Sequence, residues 1–200
     1  MYDVAIIGAG ICGASVAYYL SQKKLKICVI EKETDVSMGT TKANSAIIHA
    51  GYDPKPGTIM ARLNVRGSAM IKELAPKLSV PYKQIGSLVL AFDERDLDTI
   101  NLLYNRGIQN GVVGMKILSS RETLEIEPNI RTDVKGSLWA PSAAIISPWE
   151  LCIAMCEVAA ENGCDFLLEN EVTKIKSEPS FFEITTTERK LQAKYIVNAA

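Results

Sequence analysis

The chain has no basic stripe, no paired cysteine motif, no apolar run of full membrane-spanning length and only one histidine. Its charged residues are spread along the sequence and sum to a net charge of −1. Nothing is placed to neutralise the phosphates of a nucleic acid, so DNA or RNA is not an expected ligand. The five cysteines, Cys12, Cys28, Cys152, Cys156 and Cys164, include no C-x-x-C pair, and their odd number makes a poor disulfide framework. That usage fits a reducing, cytoplasmic setting, and no metal site is expected. The most apolar run, Val4 to Leu20, falls slightly short of a span, has Asp3 rather than Lys or Arg in front, and carries glycines at turn positions. A soluble chain is expected, and peripheral contact with a membrane surface stays compatible with it. Repeats and low-complexity segments are absent as well.

What is present is a chain of 200 residues, 48% apolar, enough to bury the core of one domain or one and a half. Tyr2–Ile7 reads as a buried parallel strand, and a glycine turn follows it. Ala14–Gln22 reads as a helix and Lys26–Ile30 as a second strand, which makes a β-α-β unit of about thirty residues. Beyond it, Ile59–Leu74 has helical spacing, with Pro76 and Pro81 bracketing its exit. Gln84–Phe92 reads as a strand, Glu94–Asn110 as an amphipathic helix stopped by Gly111, Lys116–Leu118 as a strand and Ser120–Ile126 as a short helix. Ser137–Ala140 and Ala143–Ile146 read as strands. Ser147, Pro148 and Glu150 form a helix start whose helix reaches about Asn162, before Gly163. Asp165–Leu168, Glu171–Lys176, Phe181–Thr187 and Tyr195–Asn198 read as further strands. The final apolar strand runs into small residues, where a parallel strand feeding a crevice should continue into a turn. A longer protein is therefore expected.

The turn Gly8-Ala9-Gly10-Ile11-Cys12-Gly13 has the spacing of a dinucleotide-binding loop. The first glycine permits the tight turn, the second lets a pyrophosphate approach, and the third lets helix and strand pack closely. Backbone N–H groups at the helix start then face the anion. Glu31, roughly twenty residues after the turn, is placed to accept hydrogen bonds from an unphosphorylated ribose diol. The turn alone is weak evidence, but strand, helix and acid together point to FAD or NAD rather than NADP. Thr40, Thr41, Asn44 and Ser45 offer hydroxyl and amide groups to phosphate oxygens or a flavin edge, or form a solvated loop. His49 is either a histidine satisfied by a neighbour or a base that takes an alcohol's hydroxyl proton beside a redox cofactor. Cys152 and Cys156 share a helical face and read as small buried hydrophobes. Trp139 and Trp149 read as core rather than substrate platform, and Arg62 and Arg66 share a helical face that is either solvated or turned to an anionic substrate.

These stretches resemble the FAD-dependent oxidoreductases of the D-amino-acid-oxidase type, most closely the glycerol-3-phosphate oxidases and dehydrogenases. The resemblance lies in Tyr2–Gly13, Val29–Lys32, Thr40–Gly51, Gly86–Phe92, Glu122–Pro128 and Tyr195–Ala200. Its most specific element is Asn44-Ser45-x-x-x-His49-x-Gly51. It implies an α/β fold: a Rossmann-like FAD-binding domain interleaved with a mixed-sheet substrate (cap) domain, with boundaries expected at 1–80, 81–146 and 147–200. It implies cofactor contacts from Gly8, Gly10, Ile11, Cys12, Gly13, Glu31, Lys32, Thr40, Thr41, Asn44, Ser45, Val172 and Ala199, with Val172 meeting the adenine through its backbone. It implies His49 as the base beside the flavin. Two departures stand out: Ala46 follows Ser45 where relatives often have glycine, and Ser147 stands where many have an acid. Nothing catalytic is assigned to Ser147.

The expected activity is FAD-dependent oxidation of a small 2-hydroxy compound, with sn-glycerol 3-phosphate foremost, by hydride transfer to the flavin. The alternatives are oxidation of L-2-hydroxyglutarate or an amino acid, and a non-catalytic FAD-binding module of an electron-transfer complex. The residues leave open whether oxygen, a quinone or a protein accepts the electrons.

Overall fold

The computed structural model describes residues 1–200. Two compact units divide the chain, Met1–Ser45 with Ser147–Ala200 forming the first and Ala46–Ile146 the second. The first unit opens with β1 (Tyr2–Ile7), α1 (Ile11–Ser21), β2 (Ile27–Ile30) and a 3₁₀ turn at Thr40–Lys42. The second holds β3 (Ile47–Ile48), α2 (Ile59–Lys77), β4 (Tyr82–Lys83), β5 (Ser87–Ala91) and α3 (Glu94–Asn110), then β6 (Lys116–Ser119), α4 (Ser120–Ile126), β7 (Gly136–Ala140) and β8 (Ala144–Ile146). The first unit resumes with α5 (Pro148–Glu161), β9 (Asp165–Leu167), β10 (Val172–Ser177), β11 (Phe182–Thr186) and β12 (Lys190–Asn198).

The first unit is built on a six-stranded sheet in the order β10-β11-β12-β1-β2-β9. Strands β12, β1, β2 and β9 run parallel, while β10 and β11 pair antiparallel. Alternation along the strands sends side chains to opposite faces. Val4, Ile6, Ile27 and Val29 join Ala17 and Ala159 in one cluster. Ala5, Cys28 and Ile30 join Ile184 and Ala193 in another. With both faces covered, every residue of β2 is buried, as its unbroken apolar run requires. Ser147 starts α5 by accepting the Glu150 N–H at 3.4 Å, with Pro148 at the first helical position.

The second unit contains two three-stranded sheets, β3-β8-β4 and β5-β7-β6, and every pairing in them is antiparallel. The mixing of strand directions occurs in the first unit's sheet. Ala91, Ile100, Val112, Met115, Leu138 and Ala140 form the core. Helix α3 begins where Asp93 accepts the Asp96 N–H at 2.9 Å and ends at Gly111 in the left-handed region.

Four boundaries differ from expectation. Helix α1 starts at Ile11 rather than Ala14, because Gly10 is its N-cap and its carbonyl accepts the Ala14 N–H at 2.9 Å. Helix α2 continues through Pro76 to Lys77. Proline forfeits only its own donor in the last turn, and the Leu78 N–H still reaches the Leu74 carbonyl at 3.1 Å. Strand β12 begins at Lys190 because its polar half pairs with β11 before its apolar half pairs with β1. The first crossing between units lies at Ser45/Ala46 rather than at residue 80: β3 pairs with β8, and α2 packs on α3 and β4. No helix is long and apolar enough to cross a membrane.

Candidate functional site

In the first unit, a cavity of about 490 Å³ opens at the carboxyl ends of the parallel strands, beside Ile7, Ile30 and Ala199. Ligands of open α/β sheets bind at such ends, and the volume lies within the roughly 300–1,000 Å³ usual for small-molecule sites. The glycine turn forms one wall, and its glycines are there for close approach. A Cβ on Gly8, whose φ is +98°, would sit 2.7 Å from the Ala199 carbonyl oxygen, and one on Gly13 would sit 1.9 Å from the Gly8 oxygen. On Gly10, which lines the cavity, it would come within 3.2 Å of Thr41 Oγ1.

Gly10 has no side chain to cap α1, and the first turn of the helix carries no acidic residue. Thr41, buried on the 3₁₀ turn, supplies one missing partner: its Oγ1 accepts the Ile11 N–H at 3.0 Å. The positive end of α1 is therefore left without a neutralising carboxylate in its own first turn, which suits an anion. Across the turn, Glu31 Oε2 accepts the Ala9 N–H at 2.6 Å and Oε1 accepts the Glu33 N–H at 3.0 Å. A carboxylate has about four acceptor positions, so further hydroxyl donors can be received there. This donor set, an anion-seeking helix end and a carboxylate on one cavity, fits a ligand that carries both a pyrophosphate and a ribose diol.

Of the expected contact residues, Gly8, Gly10, Glu31, Lys32, Thr40, Thr41, Val172 and Ala199 line this cavity. Ile11, Cys12 and Gly13 form the first turn of α1, with Cys12 exposed and Gly13 buried. Asn44 Nδ2 donates to the Thr40 and Thr41 carbonyls at 3.2 and 2.8 Å, holding the 3₁₀ turn, and Ser45 is exposed. Cys152, buried beneath the turn with Cys156, donates its S–H to the Ala9 carbonyl at 3.5 Å. No group of three or more His, Cys, Asp or Glu is arranged to hold a metal ion.

Asn170 and Glu171 also line the cavity, and sequence reasoning missed them. The buried Asn170 side chain donates to the Leu168 carbonyl at 2.8 Å and accepts the Thr186 hydroxyl at 3.0 Å, while its backbone N–H reaches the Glu31 carbonyl at 2.8 Å. The only sequence signal was an asparagine between two strands, an ordinary turn residue.

His49 belongs to the second unit, directly after β3, and its imidazole is exposed. The chain beyond it is fixed: Ala50 and Tyr52 are buried in the core, and the Tyr52 hydroxyl lies 3.5 Å from Ser87 Oγ.

Residues 3–200 match the family described as FAD dependent oxidoreductase, DAO. The chain belongs to this family. FAD, the family's cofactor, has both the pyrophosphate and the ribose diol that the cavity suits. A glycerol 3-phosphate dehydrogenase of Caloramator mitchellensis is 51% identical over 200 residues, covering 100% of this chain and 42% of the relative. An L-2-hydroxyglutarate dehydrogenase of Nematostella vectensis is 33% identical over 177 residues, covering 88% of this chain and 38% of the relative. Among solved structures, the dithionite-reduced L-alpha-glycerophosphate oxidase of Mycoplasma pneumoniae with FAD bound superposes with a TM-score of 0.92 at 30% identity. The alignment covers 100% of this chain and 54% of that one. The chain thus spans about half, or less, of the length of these family members.

Proposed function

We propose that this chain forms part of an enzyme that oxidises a small 2-hydroxy compound, sn-glycerol 3-phosphate before others. The observation that carries this reading is the 51% identity to the Caloramator mitchellensis glycerol 3-phosphate dehydrogenase across the whole chain. In this reading the glycine turn and the start of α1 receive the pyrophosphate, and Thr40 and Thr41 offer hydroxyls to it. Glu31 accepts the ribose hydroxyls, and Lys32 and Val172 line the adenosine end. The two-electron oxidising power comes from FAD when it is bound. His49 accepts the substrate's hydroxyl proton on an imidazole nitrogen, the side chain suited to proton transfer near neutral pH.

Likeness to L-2-hydroxyglutarate dehydrogenase supports a second reading with the same proton acceptor and a dicarboxylate substrate. Anaerobic addition of each compound to the FAD-loaded protein separates the two. Bleaching of the visible flavin absorbance by glycerol 3-phosphate is the expected result. Bleaching by L-2-hydroxyglutarate alone would transfer the substrate assignment. Retained flavin bleached by neither would leave a binding module, and protein that holds no flavin would end both readings.

A further inference from the structure

We propose that Asn110 is the residue that positions His49 for proton transfer, by clasping the backbone that follows it. The inference rests on the reading of His49 as the base. Asn110 is the last residue of α3, and both protons of its single carboxamide are used: Nδ2 donates to the Gly51 carbonyl at 2.9 Å and to the Pro54 carbonyl at 2.8 Å. The clasp therefore closes only two residues beyond the imidazole.

The side that holds is rigid. Helix α3 ends in a left-handed Gly111, and the Val112 N–H returns to the Gly107 carbonyl at 2.9 Å, fixing the helix end that carries Asn110. The side that is held cannot drift either. Gly51 sits at φ +113° with Val65 Cγ2 2.5 Å from where a Cβ would be, and Tyr52 and Pro54 are buried. Upstream, Ile48 pairs with Ala144. His49 is thus strung between a strand pairing on one side and the Asn110 clasp on the other. The residue is exposed in this unit, and the backbone on either side fixes the direction in which its Cα–Cβ bond leaves the chain. An amide of this length with two donors is what the two carbonyls require. Aspartate has the length and no donors, and glutamine has the donors and an extra methylene.

The His49 ring resonances are identified in an NMR spectrum by their loss in His49→Ala. The test compares Asn110→Ala, Asn110→Asp and Asn110→Gln with the parent in the FAD-loaded protein, with thermal unfolding and flavin content measured alongside. In Asn110→Ala and Asn110→Asp, exchange at the amides of Gly51, Tyr52, Asp53 and Lys55 should quicken by about tenfold as the segment is released, the effect of losing a net hydrogen bond, while β1 and α1 keep their protection. The His49 resonances should broaden or split. Flavin reduction at saturating substrate should slow by roughly 10–100-fold with KM little changed, since a misplacement of about 1 Å can cost that much. Asn110→Gln should recover part of the rate.

An Asn110→Ala rate within about twofold of the parent, or a loss matched by the unfolded fraction, overturns the proposal. The control is His49→Ala. If it reduces flavin as fast as the parent, the base reading falls and the positioning role falls with it. If it is inactive while Asn110→Ala is fully active, the positioning inference alone fails.

Discussion

Glu31 ties the glycine turn to the loop after β2 with a single carboxylate, through the Ala9 and Glu33 N–H groups. A hydrogen bond to a charged group contributes about 1.5–3 kcal/mol. Glu31→Gln keeps the shape but turns an amide N–H₂ toward one backbone donor and one hydroxyl site. FAD affinity should fall by roughly 10–100-fold, read by fluorescence titration of the apoprotein, since each factor of ten is about 1.4 kcal/mol. An unchanged Kd would remove the ribose role from Glu31. Ala46 presents the opposite case, a residue held where its side chain is unwelcome, at φ +60°. An L-residue in that region costs roughly 1–2 kcal/mol, whereas glycine there gives back about 0.4–1 kcal/mol to the unfolded chain. Ala46→Gly should therefore stabilise by up to about 1 kcal/mol, raising Tm by roughly 2–4 °C. A lower Tm in differential scanning calorimetry would show that its side chain contributes packing that outweighs the strain.

At the scale of elements, β2 lies between two apolar clusters, and Cys28 feels both its burial and its neighbours. Desolvation first, then the Cys164 thiol and the Asp165 carboxylate, push the Cys28 thiol from an ordinary value near 9 up to about 12. Between those values the folded state keeps a proton that the unfolded state releases, so stability falls as pH rises through that window. Urea unfolding from pH 8 to 11 should show this decline, and Cys28→Ala should flatten part of it. An identical pH slope in the variant would rule out Cys28 as a source. The same strand was legible in the sequence because an unbroken apolar run at the end of a crossover has few other readings. Helix α3 was legible through its amphipathic spacing and Gly111, and α5 through the Ser147 cap, whereas the Asp93 and Ser119 caps of α3 and α4 show only in the structure. The start of β12 was hidden because Lys190–Ala193 is exposed or half-buried along most of its length and gains order only from β11, outside any local pattern. The α2 terminus was hidden because Pro76 reads as a stop wherever the helix is judged by residue type alone.

Along the chain, the first unit is interrupted by a second unit whose two ends meet. The Ile146 N–H donates to the Ala46 carbonyl at 3.0 Å, and β3 pairs with β8 between the two crossings. Residues 46–146 have their own core, so this segment expressed alone should unfold cooperatively in urea with native-like near-ultraviolet dichroism. A fragment with no cooperative transition would show that the unit depends on the rest of the chain. At this scale the cavity was only half legible. Gly8, Gly10 and Glu31 announce themselves by spacing, but Asn170 and Glu171 reach the same space through a strand pairing that no local pattern reveals.

The pairing of Tyr2 with Ala193 has a consequence for biosynthesis. A ribosome adding roughly 5–20 residues each second delivers the second partner on the order of 10–40 s after the first. For that interval the nascent amino terminus carries an apolar ribbon with one flank unmatched, a natural client for a chaperone at the exit tunnel.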